Sequence, residues 1–294
     1  VSASQPLVYP GLYDTASKLS ANSQYWYFLL VCVEYCLLFL ASVLSLNVSY
    51  DGNYHVATAL VLILSLGVLI SRFWLKPERD WYRGRALAES IKTTCWKYCM
   101  RAEPFGDAPN VHVPRAEFRA FLRSILDASR HIGDHLPSDG AASDQITPSM
   151  ESLRALDLDE RKAFYDANRI REQRGWYAKK AGINKRASKR WVCYGVVAYL
   201  TAIVLTLLRI ANPSWDFWPI DPIIVIASSM LGWTQIKKFN ELSASYTLTA
   251  HEIGIIQGKI EEVKDEKQFS SFVNEAEQAF SREHTQWVAR QSHQ

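Results

Sequence analysis

The sequence has no glycine-rich loop that would cradle a phosphate. It also lacks any serine–histidine–acid or cysteine–histidine arrangement that would activate a nucleophile. His131 and His135 stand four apart with Asp134 between them, but the glutamate that follows the first histidine of a zinc protease is missing. Cysteine is scarce. There are five, an odd number, and a disulfide framework is not expected. Cys32 and Cys36, like Cys95 and Cys99, are spaced to share a helix face. Two thiolates are half of a tetrahedral zinc set, so both pairs read as small apolar packing groups. An excess of charge is lacking too. The net charge of +3 is too small to point to nucleic acid, and no reader motif accompanies the basic residues. No basic n-region opens the chain and no small-residue cleavage site follows the first apolar run, so a secretory leader is not expected here. Neither a catalytic residue nor a cofactor nor a metal is expected, and the chain does not read as an enzyme.

What the sequence has is long apolar runs. Val56 to Ser71 holds no charge and no proline. Extended from His55 to Trp74 it reaches the ~20 residues needed to cross a hydrocarbon core of roughly 30 Å. Tyr25 to Leu46 is a second spanning candidate, entered through three aromatics and carrying one charge, Glu34. Trp191 to Leu208 is a third, and Pro222 to Ile236, short for a bilayer, is the weakest of four. Two polar links, 47–54 and 211–220, join them in pairs, and both lack lysine and arginine. The opposite ends carry Arg72, Lys76, Lys185, Arg186, Lys189, Arg190, Lys237 and Lys238. Cytoplasmic segments are the basic ones, so the links are expected outside and both termini in the cytoplasm. The same basic residues are expected at the membrane interface, against anionic lipid headgroups.

Outside the spans the pattern is helical. In Trp81 to Arg101, Leu87, Ile91, Cys95, Tyr98 and Cys99 fall on one face. Phe118, Phe121, Leu122, Ile125, Ser129 and Ile132 make a stripe in the next helix. Thr147-Pro148 reads as an N-cap followed by proline at the first helical position. A charged run from Glu151 to Arg190 leads into the third span, and Phe269, Phe272, Val273, Ala276, Phe280 and Trp287 form a last stripe. The expected architecture is an all-α integral membrane protein, four transmembrane helices in two hairpins with long cytoplasmic helices. The expected domains are residues 1–136, the first hairpin with its cytoplasmic helices; a linker, 137–149; and residues 150–294, the second hairpin with its own.

The halves echo one another. Tyr13-Asp14 precedes the first hairpin and Tyr165-Asp166 the second, and a Phe-x-x-Phe pair follows each, Phe118/Phe121 and Phe269/Phe272. Two stretches of the first half, Trp81 to Lys92 with Trp96-Lys97-Tyr98, and Glu103-Pro104-Phe105, resemble the SLATT domains, two-span bacterial membrane modules. So do Tyr246, His251-Glu252, Phe269, Phe272-Val273, Glu277, Arg282-Glu283-His284 and Trp287 in the second. The resemblance runs from about Tyr25 to Trp287 as two tandem copies. It implies an oligomeric effector of the bacterial inner membrane that forms or gates a pore in a defence or signalling system. It transfers no catalytic residue. The alternative is a membrane-anchored scaffold or sensor, with the cytoplasmic helices meeting a protein or signalling-nucleotide partner.

Glu34 is the sharpest single residue. A carboxylate within a span is costly and faces a partner, a cavity or a pathway. No basic residue lies within another span, so an ion partner at depth is not evident from the sequence. A hydrogen bond from Thr201 or Ser228, a water-filled path with Glu34 in a pore or gate, and interfacial packing all remain open.

Overall fold

The computed structural model describes residues 6–46, 52–106, 110, 112–128 and 143–292, the last of these as backbone alone from 282 onward. His131, Asp134, His135, Ser129, Ile132, residues 137–142 of the linker, the first five residues of the 47–54 link and the side chains of Arg282-Glu283-His284 and Trp287 lie outside the described residues.

The described residues hold helices and no strand. In order they are α1 (Gly11–Leu44), α2 (Gly52–Leu75), α3 (Pro77–Cys99), α4 (His112–Ala128), α5 (Pro148–Ala155), α6 (Leu158–Tyr165), a π-helical turn (Asp166–Arg171), α7 (Glu172–Ala211), α8 (Ile220–Lys237), α9 (Phe239–Gly258), a 3-10 turn (Lys259–Glu262) and α10 (Glu266–Ser292). Their starts follow local chemistry. Thr147 accepts a hydrogen bond from the Met150 amide at 3.3 Å, and Pro148 follows it. Asp157 does the same for α6, accepting from Glu160 N at 2.8 Å. The ends are less ordinary. Among the described residues three that are not glycine have positive φ, Lys76 (45°), Arg101 (55°) and Lys238 (47°), and each follows a helix C-terminus. A side chain there crowds the next carbonyl at a cost of roughly 1–2 kcal/mol, while the cation meets the negative end of the helix dipole.

Two expected segments are longer than the sequence suggests. The first span, expected from Tyr25, belongs to one helix of 34 residues that begins at Gly11. The basic run and the third span are likewise one helix of 40 residues. No proline interrupts either junction, so nothing stops the backbone ladder.

The chain divides into two compact units. The apolar unit comprises Tyr25–Pro77 and Lys180–Ala244. Its helices keep their apolar side chains outward: Leu60, Ile63, Leu64 and Leu66 on α2, and Val192, Val196, Leu200, Ile203 and Leu207 on α7, are all exposed. Among the described residues three helices are long and apolar enough to cross a membrane: α1, α2 continued through α3, and α7 with α6 and the π-helical turn before it. At 18 residues α8 is about 27 Å long, and it does not reach the standard of the other three.

The polar unit comprises residues up to Gln24, Glu78–Lys179 and the chain from Ser245. Its core is aromatic. Leu87, Ile91, Cys95, Tyr98 and Cys99 are buried, the face expected of α3. Trp96 meets Tyr165 edge-on at 5.6 Å, and Tyr165 meets Phe269 at 6.2 Å. Phe269, Phe272, Val273, Ala276 and Phe280 are buried as their spacing requires. The echo between halves is imperfect here: Phe118 is buried, but Phe121 is exposed where Phe272 is buried.

Candidate functional site

Glu34 is not without an ion partner. Arg72, near the end of α2, brings Nη1 to 2.8 Å from Glu34 Oε2. The Glu34 side chain is 14% exposed and that of Arg72 27%. Oε2 has no aligned hydrogen-bond donor, so the contact is Coulombic rather than a directed bond. Arg72 lies at the edge of its apolar run, and its long stem carries the guanidinium back to the carboxylate. Thr201 does not serve as the donor. Its hydroxyl is exposed and bonds the Val197 carbonyl of its own helix at 2.9 Å. Ser228 is exposed.

The residues beside Glu34 tie α1 to α8. The Tyr35 hydroxyl lies where a side chain on Gly232 would begin. Phe28 and Trp233 stand 5.7 Å apart, and Lys237 Nζ sits 3.3 Å from the Phe28 ring centroid and 4.9 Å from that of Trp233. An ammonium over two ring faces is held by their quadrupoles. Trp191 of α7 completes the cluster at 6.1 Å from Trp233. Phe28 faces Lys237 while Tyr35, further along α1, faces Gly232, so the two helices run antiparallel.

The other expected interface residues scatter. Lys185, Arg186, Lys189 and Arg190 are exposed along α7, with Ala187 and Ser188 on its buried side. Lys76 is exposed, with Nζ 5.6 Å from the Phe73 ring of its own hairpin. Lys238 is half-buried at its joint.

The polar unit holds a charge cluster that sequence reasoning missed. Arg169, on the π-helical turn, and Glu277, on α10, are buried together. Arg169 Nε donates to Glu277 Oε1 at 2.9 Å and Nη2 to Oε2 at 2.7 Å. Tyr165 donates its hydroxyl to Oε1 at 2.9 Å, and Thr93 donates to Oε2 at 3.0 Å. The Arg169 guanidinium also lies 4.6 Å from the Phe280 ring. Burial works against the Arg169 charge, but the Glu277 carboxylate outweighs it and raises the pKa further. Burial raises Tyr165 and Tyr9, and it lowers Lys92, which Arg169 lowers further.

Arginines also close the end of α3. Arg154 donates to the Tyr98 carbonyl and, at 3.1 Å, to that of Gly106. Arg161 donates to the Met100 carbonyl at 2.9 Å and pairs with Glu266. The Tyr98 and Met100 carbonyls lie at the end of α3, where the helix itself supplies no donor, and guanidinium donors reach them there. Glu151 takes a bidentate pair from Arg115 at 3.0 and 2.8 Å and the Tyr98 hydroxyl at 2.7 Å. Partial burial would raise Glu151, but these donors prevail and its carboxyl lies below the usual value.

The charged run hid this network because arginine is usually a surface residue. Two signals were present: Tyr165-Asp166 belongs to the echo between the halves, and Glu277 to the pattern that resembles SLATT domains. Chemically the arrangement is a buried polar core in which both Glu277 oxygens accept two hydrogen bonds each, while Arg169 Nη1 has no hydrogen-bond partner among the described residues. Among the described residues no group of three or more metal-type ligands converges.

No match was found among curated proteins or among solved structures. Two families match in tandem. Residues 10–162 match SMODS and SLOG-associating 2TM effector domain 3, and residues 165–287 match SMODS and SLOG-associating 2TM effector domain 1. The Arg72–Glu34 pair belongs to the first match and the Arg169–Glu277 pair to the second, and with most of its length matched in this way the chain belongs to the SLATT family of two-span effector domains.

Proposed function

We propose that the protein is an oligomeric effector of the bacterial inner membrane that forms or gates a pore. In this reading it has four spans, with both termini in the cytoplasm. The observation that carries it is the outward apolar surface of α2 and α7, most of whose leucines, isoleucines and valines are exposed along the helices. Such a surface needs lipid or another copy to cover it. Membership in a family described as 2TM effectors supports the same reading. In it, α8 is the fourth span, and its packing on α1 through Phe28 and Gly232 supports its place in the bundle. The basic face of α7 meets anionic headgroups. Reconstitution into liposomes with an ion-sensitive dye tests the reading. Flux that rises with protein density is expected. Inserted protein that gives no flux at any density rules out the constitutive pore.

One observation favours the second reading, a membrane-anchored scaffold or sensor acting through its cytoplasmic helices. Glu34 is neutralised by Arg72, so it does not offer a free carboxylate to a conducting path. Ion preference in Glu34→Gln separates the two. A changed preference supports a path lined by Glu34. An unchanged preference, with reduced assembly, supports a structural role for the pair.

A further inference from the structure

Lys76 and Lys238 hold the same place in their halves. Each is the single residue between a returning apolar helix and the next helix. α2 ends at Leu75 and α3 begins at Pro77; α8 ends at Lys237 and α9 begins at Phe239. Both lysines have left-handed backbones, with φ of 45° and 47°. Glycine is the default residue for that conformation. A residue with a Cβ persists there only where its surroundings impose the turn, and such strain clusters at switch regions.

At the second joint the restraint is visible. Lys237, the residue before the turn, has its Nζ 3.3 Å from the Phe28 centroid on α1 and 4.9 Å from Trp233. Among the described residues no carboxylate lies within ion-pair distance of Lys237, so the rings are what holds the ammonium. Nearby, Tyr35 is pressed against Gly232, and a bulkier residue there would push the helices apart. At the first joint Lys76 reaches Phe73 on its own helix, and the tie to α1 is the Arg72–Glu34 ion pair one turn earlier rather than a cation on aromatic rings. The two joints share the strained turn, and only the second carries the aromatic seat.

We propose that the α8–α9 joint is a conformational switch: Lys238 is its strained turn, and Lys237 seated on Phe28 and Trp233 is the latch that holds α8 against α1. Unseating the ammonium removes the restraint. The turn then relaxes out of the left-handed region and α9 swings relative to α1. The first hairpin has the turn and an ion pair, Arg72 with Glu34, in place of the aromatic seat. This inference deepens the effector reading, for it names the element that a trigger would act on.

The test uses the full chain in nanodiscs, with all native cysteines replaced and spin labels at Tyr25 and Glu241, both exposed. Pulsed dipolar spectroscopy reads the distance between α1 and the start of α9. One dominant distance is expected for the parent. Lys237→Met should produce a second distance with a several-fold larger population. Lys237→Arg, which keeps the cation, should restore the parent distribution. Adding Lys238→Gly to Lys237→Met should shrink the second population, because glycine holds the turn without strain. An unchanged distribution in Lys237→Met overturns the latch, as does a broadened one that Lys237→Arg fails to restore. A second population that Lys238→Gly enlarges overturns the strained turn. The readout needs no flux: a working latch in a protein without conductance sinks the pore alone, and a conducting protein with no latch response sinks this proposal alone.

Discussion

Glu34 Oε2 and Arg72 Nη1 stand 2.8 Å apart, joining the two helices of the first hairpin where each is otherwise apolar. Removing either partner leaves the other charge poorly solvated. Arg72→Gln should therefore destabilise the protein more than Glu34→Gln, which removes the more enclosed charge itself. The double variant should recover part of the loss. Both groups keep some exposure, so a coupling energy of about 1–3 kcal/mol is expected. Detergent-induced unfolding of the four proteins in one double-mutant cycle measures it. Additive effects would show that the pair contributes nothing.

Arg169 and Glu277 form the most enclosed ion pair among the described residues. Glu277→Gln strands a buried guanidinium and takes the acceptor of Tyr165 and Thr93 to a weaker amide. A loss of about 3–5 kcal/mol is expected, read as a large fall in thermal unfolding temperature. Arg169→Lys should lose nearly as much, since one ammonium cannot reproduce two parallel bonds. A change within experimental scatter for both would refute the pair's importance.

Gly232 is a packing position. Gly232→Ala places a methyl against the Tyr35 hydroxyl, so α1 or the ring must shift. Reduced stability is expected, with partial recovery when Tyr35→Phe removes the hydroxyl. Thermal melts of the three variants in one detergent decide it, and equal melts for Gly232→Ala and its double variant would count against the contact.

Acid sensitivity should trace to Glu151. Its carboxyl is held below its ordinary value of 4.5, so the folded state binds its proton less readily than the unfolded chain does. The stabilisation is present above that value and is lost as pH falls through the lower folded-state pKa. Glu151→Gln should flatten the decline of stability below pH 4.5. A decline equally steep in the variant would assign it to other carboxylates.

Topology is open to direct labelling. Single cysteines at Gly52 and Ser214, in a cysteine-free background, are expected to react with an impermeant reagent added outside. A cysteine at Ser143 should react only from the cytoplasm. Labelling of Gly52 and Ser214 from the cytoplasmic side alone would invert the orientation.

Much of this protein was settled by local sequence. Val56 to Ser71 and Trp191 to Leu208 could only be long apolar helices, because length, absence of charge and absence of proline act within the segment itself. The buried face of α3 and the stripe of α10 follow from helical spacing. Thr147 and Pro148 set the start of α5 in the same way. The pairing of charges was not local. Arg169 meets Glu277 across 108 residues, and nothing near either one tells whether it faces water or the core. Arg72 read as a marker of orientation, and only the packing of α1 on α2 turned it toward Glu34. The left-handed turns at Lys76 and Lys238 were hidden for a related reason. Lysine has no intrinsic preference for that conformation, so the surrounding helices had to impose it. Short-range periodicity decides which residues are helical and which face is apolar. The partner of a polar group depends on which distant helix arrives beside it, and that is decided only when the chain packs.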